Sequence, residues 1–378
     1  MQIGPFKLER YFAQYEFKVK YLLSPSDCES LSLGELLQSA NPNSLALWNE
    51  LKLGYTESPG HPLLRAEVSR LYQNIAPDDV MIAAPEEAIL IAMHTLLKPG
   101  DHIIVVFPAY QSLYEIARAI GCDVTAWTFE LGAAGWRLDL DQLERSLTNH
   151  TRLLVLNFPH NPTGYLPSRR ELDAMIEFAR KHHLYVFCDE MYRLLEYDPS
   201  RRLMSMCDLY EKGIALSGLS KAFALPGLRI GWLATQDRAL LEQWLAFKDY
   251  TTICSSAPSE VLGIIALQAR DIILARNLGI IQENLKVAEQ FFAEQAERFV
   301  WIRPHAGSIA FPKWMADTPV EQFCQGVLDQ QGVMIVPGSI FDFPGNHFRL
   351  GLGRRNLAEA LQRVSDYLKR GQPVFAAG

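Results

Sequence analysis

From about residue 80 to 234 the chain alternates short runs of β-branched and aromatic residues with longer stretches whose apolar positions recur at helical spacing. The runs fall at 80–84, 102–107, 123–128, 153–157, 184–188, 213–217 and 230–234, and the helical stretches at 86–97, 110–120, 139–147 and 169–182. Alternation on this scale predicts βαβ units. The expected architecture is therefore α/β, with a mostly parallel sheet sandwiched by helices. In such sheets ligands gather at the carboxyl ends of the strands, so the polar residues that close each run deserve the closest reading.

Outside this block the pattern changes. Near the amino terminus Phe6, Leu8, Tyr11, Phe12, Tyr15 and Phe17 form a short amphipathic pattern, followed by a polar piece from Ser24 to Ser30. An aromatic-rich arm of this kind is expected to pack on core or on a second subunit. Next comes a Gly/Pro-rich loop at 53–65 that carries Tyr55 and leads into a helical pattern of Leu64, Val68, Leu71 and Tyr72. After about 236 the chain reads as helical to about 298. Short strands are expected near 307–313, 332–336 and 347–352, and a last amphipathic helix at 356–369. The domain reading is an arm with part of the small domain at 1–45, a large domain at 46–285 and a smaller α+β domain at 286–378.

Composition narrows the function classes. With 378 residues, 49% of them hydrophobic and 21% charged, the chain can bury one large core and a satellite. A formal net charge of −7 argues against a nucleic-acid or anionic-membrane surface. The first ten residues contain no apolar leader-like run, and no stretch approaches the roughly 18 apolar residues of a spanning helix. A cytoplasmic protein is expected. Cys28, Cys122, Cys188, Cys207, Cys254 and Cys324 lack CxxC pairing, which points to buried thiols rather than a metal site or a disulfide framework.

Candidate chemistry concentrates at the run ends. In Ala215-Leu216-Ser217-Gly218-Leu219-Ser220-Lys221 an apolar run gives way to small polar residues and a lysine, and Arg229 follows beyond a Pro226-Gly227 turn. A desolvated lysine loses part of its preference for the charged form, so Lys221 is a candidate nucleophile or proton carrier for carbonyl chemistry, most simply through a Schiff base. Arg229 could hold a phosphate near that amine. Asp189 closes the apolar run 184–188, where a carboxylate needs a cationic partner or a capping role. Asn161 lies in Asn161-Pro162-Thr163-Gly164, a good turn whose amide can also donate to a phenolate oxygen. Tyr110 stands just past the run 102–107. Arg349, in an apolar strand, has the planar fork that suits a carboxylate, whereas Arg354 and Arg355 are expected to face solvent.

The order Tyr55, Asn161, Asp189, Tyr192, Lys221, Arg229, Arg349 resembles that of the class I/II aminotransferases, the fold-type I enzymes that depend on pyridoxal 5'-phosphate. The resemblance covers nearly the whole chain from about Tyr55. It implies transfer of an amino group between an L-amino acid and a 2-oxo acid, with Lys221 bonded to the cofactor. It further implies Asp189 on the ring nitrogen, Asn161 and Tyr192 on the phenolic oxygen, Tyr110 stacked on the ring, Arg229 on the phosphate and Arg349 on the substrate carboxylate. In the family, the tyrosine matching Tyr55 reaches the phosphate from a neighbouring subunit, so a homodimer with shared sites is expected. Two positions depart from the pattern. Gly218 stands where a phosphate-binding hydroxyl is common, leaving Ser217 or Ser220 to serve. The helix expected to cradle the phosphate opens with Pro85, which has no N–H, and Glu86, whose charge is awkward there. A lyase or cyclising synthase on the same scaffold is the alternative activity, and a cofactor-binding regulator without turnover the remote one.

Overall fold

The structure is a computed structural model and describes residues 2–133 and 135–370. Its centre is a seven-stranded sheet, numbered here in chain order as β1 (Val80–Ala83), β2 (His102–Phe107), β3 (Asp123–Thr128), β4 (Thr151–Asn157), β5 (Tyr185–Asp189), β6 (Gly213–Gly218) and β7 (Gly231–Thr235). The spatial order is β1-β7-β6-β5-β4-β2-β3. Each strand matches a predicted run to within two residues at either end. Neighbours from β6 through β3 pair in parallel, while β7 runs antiparallel to both β1 and β6.

Both the parallel pairing and its exception follow from the chain. In β2 every residue is buried, and alternate side chains enter two different cores: Ile104 and Val106 on one face, Ile103, Val105 and Phe107 on the other. A strand covered on both faces can be apolar throughout, which is why its sequence shows a run instead of an alternation. Helices provide the cover. The helix Arg169–Lys181 starts with a capping box, in which Ser168 accepts from the Glu171 N–H and Glu171 accepts from the Ser168 N–H. Only residues 219–230 separate β6 from β7, and they contain no α-helix to carry the chain back across the sheet, so β7 returns antiparallel. Lys221 and Arg229 both lie on this return.

The helical region after 236 resolves into Arg238–Lys248, Ala257–Gln268 and Arg270–Glu294. Beyond it, Ile309–Ala310, Phe348–Gly351 and Val336–Pro337 form a three-stranded antiparallel sheet, and Leu357–Arg370 is the last helix. The arm is part of this neighbourhood, because Tyr21–Leu22 pairs in parallel with Val333–Met334. Its first segment, Lys7–Tyr15, is a helix with Leu8 buried. Sequence periodicity did not reveal the short helices Leu33–Gln38 and Pro42–Asn49 or the hairpin of Glu130–Gly132 with Gly135–Arg137. Among the described residues, no helix is long and apolar enough to cross a membrane.

One buried amide ties the 25-residue helix Arg270–Glu294 to the return carrying Lys221: Asn277 Nδ2 donates to the Ala222 carbonyl at 2.8 Å, and Asn277 is fully buried. Asn277→Ala leaves that carbonyl without its partner. Loss of a buried hydrogen bond of this kind costs roughly 1–3 kcal/mol, so the urea midpoint should fall while the far-ultraviolet circular dichroism of the folded protein stays unchanged. An unshifted midpoint would show that the tie contributes nothing.

Candidate active site

The carboxyl ends of the central strands open into a cavity of about 740 Å³. The parallel register sets Asn157, Asp189 and Leu216 side by side on β4, β5 and β6. Loops beyond these ends bring Asn161, Tyr192, Ser220, Lys221 and Arg229 to the same cavity, and Tyr110 enters from beyond β2. Arg349 enters from the opposite side, on the strand Phe348–Gly351.

Lys221 Nζ donates to Ser26 Oγ at 2.9 Å. Burial lowers its pKa, with Asp27 opposing that shift and Arg349 adding to it. Asp189 is buried, and one carboxylate oxygen accepts from the Met191 N–H at 3.0 Å. Burial raises its pKa to about 7, a shift that the Met191 N–H and Lys221 oppose only in part. Asn161 is held from behind, its N–H donating to Asn157 Oδ1 at 2.8 Å, while Asn157 Nδ2 donates to the Asp189 carbonyl at 2.8 Å. Arg349 is 1% exposed; its Nε donates to the Ser24 carbonyl at 3.0 Å and its Nη1 to Asn161 Oδ1 at 3.3 Å. Phe12 and Phe341 lie 5.7 and 5.2 Å from its guanidinium carbon. Tyr110 donates to Glu9 at 2.9 Å and packs on Phe6 at a centroid distance of 4.9 Å.

The expectations for Ser217, Arg354 and Cys254 need revision. Ser217 does not line the cavity; Leu216 does, and alternation along β6 turns Ser217 to the other face. Ser220 does line it. Tyr55 is 92% exposed and lies outside the cavity of its own chain. Arg354, expected in solvent, is largely buried and donates to both oxygens of Asp27 at 3.1 and 3.0 Å. Arg355 is the exposed one of the pair. Glu86 faces the cavity, and burial raises its pKa. His160 is buried and outside the cavity, its Nδ1 set against Thr163 Oγ1 at 2.8 Å; burial lowers its pKa to about 3, which keeps it neutral. Of the cysteines, Cys254 is part-exposed and the other five are buried. The sequence reading missed the arm's share of the site: Glu9, Phe12, Glu16 and Phe17 form one wall, and Ser26 and Asp27 approach Lys221. The available signal was the recurrence of Glu9, Phe12 and Glu16 at one-turn spacing.

The sequence model of the family described as aminotransferase class I and II matches residues 31–364. The chain belongs to this family. This aminotransferase is 29% identical over 368 residues to capreomycidine synthase of Streptomyces vinaceus, covering 96% of this chain and 93% of that one. It is 26% identical to the aspartate aminotransferase of Thermotoga maritima over 83% of each chain. Among solved structures, it is similar to a PLP-dependent aminotransferase from Streptococcus suis 89-1591, at a TM-score of 0.92 and 32% identity over 99% of this chain and 100% of that one. A structure of the PLP-dependent cyclase OrfR gives a TM-score of 0.90 and 26% identity over 98% and 99% of the two chains.

Pyridoxal phosphate is accordingly the expected cofactor, and the aminotransferase cavity fits it. Two buried hydroxyls on its wall, Tyr192 Oη and Ser220 Oγ, have no hydrogen-bond partner among the described residues. Such groups are costly unless something supplies a partner. Among the described residues Asp189 has no salt-bridge partner to justify its burial, which a protonated ring nitrogen would provide. The glycine three residues before the lysine also has a local cause. A Cβ at Gly218 would meet Gly231 Cα at 2.9 Å and the Ile230 carbonyl at 3.0 Å, so no hydroxyl-bearing residue fits between β6 and β7.

Asp189 gives a test by cofactor removal. A carboxyl whose pKa rises on folding, here from 3.8 to about 7, favours the folded state while protonated and loses that contribution as pH climbs through this window. In cofactor-free protein, the stability of Asp189→Asn relative to the unsubstituted chain should rise by roughly 2–4 kcal/mol between about pH 4 and pH 7. Urea denaturation at a series of pH values measures it. A pH-independent gap would contradict the assignment.

Proposed function

We propose that this aminotransferase exchanges an amino group between an L-amino acid and a 2-oxo acid, with Lys221 as the residue that bonds the cofactor and carries the proton. The observation behind this reading is the convergence of Asp189 and Tyr192 at the end of β5, Lys221 on the return from β6 to β7, and Arg349 on the strand Phe348–Gly351 on one cavity. Bound pyridoxal phosphate supplies a ring that withdraws electrons from the substrate Cα. Asp189 keeps its ring nitrogen protonated. The hydroxyl of Tyr192 and the amide Nδ2 of Asn161, whose Oδ1 is already engaged by Arg349, are left to donate to its phenolic oxygen. Tyr110 covers the ring, and Arg229 with Ser220 holds the phosphate. Lys221, whose neutral form is favoured by burial, is placed to take the proton from the substrate Cα and would return it at C4′ of the cofactor. Phe12 and Tyr110 help keep water from that transfer.

Arg349 has one of its nitrogens directed to a backbone carbonyl and another to Asn161, which fixes the plane of the guanidinium and leaves its remaining N–H groups for the substrate carboxylate. A second reading, cyclisation or elimination on the same scaffold, is supported by the likeness to proteins named capreomycidine synthase and cyclase. Formation of a 2-oxo acid with stoichiometric amination of an added oxo acid separates transamination from both. We further propose a cytoplasmic homodimer whose chain divides into an arm with part of the small domain at 1–45, a large domain at 46–285 and a small domain at 286–378. Exposure of Leu53 (85%), Tyr55 (92%) and Tyr250 (92%) supports a partner surface beside the Tyr55 loop.

Three outcomes are expected. Lys221→Ala abolishes turnover and the cofactor's visible absorbance, and borohydride reduction of the unsubstituted holoenzyme labels Lys221; a label on another lysine overturns the assignment. Arg349→Ala lowers kcat/KM by about tenfold to a hundredfold at unchanged cofactor absorbance, lysine rescuing only in part, because such a charge-assisted pair contributes roughly 1.5–3 kcal/mol. Unchanged kcat/KM would place the carboxylate elsewhere. Mixing inactive Lys221→Ala chains with impaired Tyr55→Phe chains restores activity in hybrids if the site is shared, whereas a chain that is active and monomeric at nanomolar concentration rules out sharing.

A further inference from the structure

The cavity carries more negative charge than the cofactor and a simple amino acid would use. Five carboxylates line it, those of Glu9, Glu16, Asp27, Glu86 and Asp189, against the cations Lys221, Arg229 and Arg349. Asp27 is matched by Arg354. In the proposed function Asp189 is matched by the ring nitrogen, and the three cations face the cofactor and the α-carboxylate. Among the described residues, Glu9, Glu16 and Glu86 have no salt-bridge partner.

Two of the three belong to the arm. Glu9 lies three residues before Phe12 and Glu16 four after it, so on the helix Lys7–Tyr15 and its cap they flank that ring at about one turn each way. Phe12 is one of the two rings beside the Arg349 guanidinium, and of these the one that lines the cavity. Whatever is held by its carboxylate at Arg349 therefore has a carboxylate of the arm on either side of its onward path. Glu9 has one oxygen engaged by Tyr110 and the other without a donor among the described residues. Glu16 is half-buried, and burial followed by Asp27 raises its pKa, with Arg354 and Lys221 opposing that shift. The unpartnered Tyr192 and Ser220 hydroxyls, 2% and 5% exposed and given above to the cofactor, show that this cavity is built to take ligands, and the unengaged Glu9 oxygen lines the same cavity.

We propose that the amino-acid substrate carries a second positive charge, a guanidinium or ammonium at the end of its side chain, received by Glu9 and Glu16 of the N-terminal helix. The inference rests on the aminotransferase reading. With a phosphate dianion and an α-carboxylate already in the cavity, a neutral side chain leaves the arm's carboxylates uncompensated and an acidic one adds repulsion. A cationic side chain removes both penalties. The rings of Phe6 and Phe12, which line the same cavity, suit a planar guanidinium in addition.

The test uses the holoenzyme and reads both the change in cofactor absorbance on amino-acid binding and kcat/KM, across the common amino acids plus ornithine and citrulline. Citrulline has nearly the shape of arginine without the charge. Arginine or ornithine should exceed citrulline by about tenfold or more, with glutamate weaker still, and the preference should shrink as salt is raised. In the Glu9→Gln/Glu16→Gln variant the arginine-to-citrulline ratio should fall toward one, with each single substitution part-way in case the double one folds poorly. Equal use of citrulline and arginine, preference for an acidic amino acid, or an unchanged ratio in the variants would overturn the inference while leaving the aminotransferase reading in place. Absence of any spectral response or turnover with every amino acid would overturn that reading, and this inference with it.

Discussion

An ammonium group taken out of water costs more than one left in it, and the surroundings of Lys221 hold that cost where chemistry can use it. Two features keep the lysine there. The strand before it ends against β7 so closely that Gly218 can bear no side chain, and the following turn is tied to a long helix through the Asn277 amide. The return from β6 to β7 therefore has little freedom to swing the amine into solvent. Burial lowers its pKa, and the nearest hydrogen-bond partner is the neutral hydroxyl of Ser26, not a carboxylate that would hold the proton in place. Asp189 faces the converse problem, a carboxyl whose burial favours the neutral form until a cation arrives. The same cavity thus disfavours both charges, and a ligand that brings a cationic nitrogen and an electrophilic carbon relieves both at once.

That arrangement explains which parts of the molecule could be read from the chain. Strands such as β2 and β5 are covered on both faces, so they appear as uninterrupted apolar runs, and the polar residue that ends each run marks the sheet's carboxyl edge. Asp189 was visible for that reason. Arg349 was visible as a charge inside an apolar strand. The antiparallel β7 was less legible, because hydrophobicity does not encode direction; only the shortness of the connection after β6 does. Two-residue strands such as Tyr21–Leu22 show no periodicity at all, and its partner Val333–Met334 is more than 300 positions away.

The arm was the largest gap. Its apolar positions were plain, but an aromatic stripe is the same whether it covers a core, a second subunit or a cavity, and the docking surface comes from residues distant in sequence. The structure shows the stripe to be mixed: Phe12 and the carboxylates of Glu9 and Glu16 share the wall. Ser26 and Asp27 lie in an irregular segment whose importance depends on what it touches. Ser217 failed for a simpler reason, since a one-residue step along a strand reverses the face.

Arg349 and Arg354, five positions apart, show how partners separate a structural charge from one that awaits a ligand. Arg354 is largely buried and has its charge matched by a carboxylate, both Asp27 oxygens accepting from its Nη2. Arg349 is more deeply buried, yet its partners are a backbone carbonyl, an amide oxygen and two aromatic rings; among the described residues, no carboxylate lies within salt-bridge distance. Burial without a counter-ion lowers even a guanidinium's pKa, and the rings offset only part of the lost hydration. A fold has no stability reason to keep such a charge, because an apolar residue of similar volume would pack there without the desolvation penalty. The cation is better understood as held ready for an anion that comes and goes. Its contacts with Ser24 and Asn161 fix its plane without neutralising it, which in the proposed function leaves its charge for the substrate carboxylate.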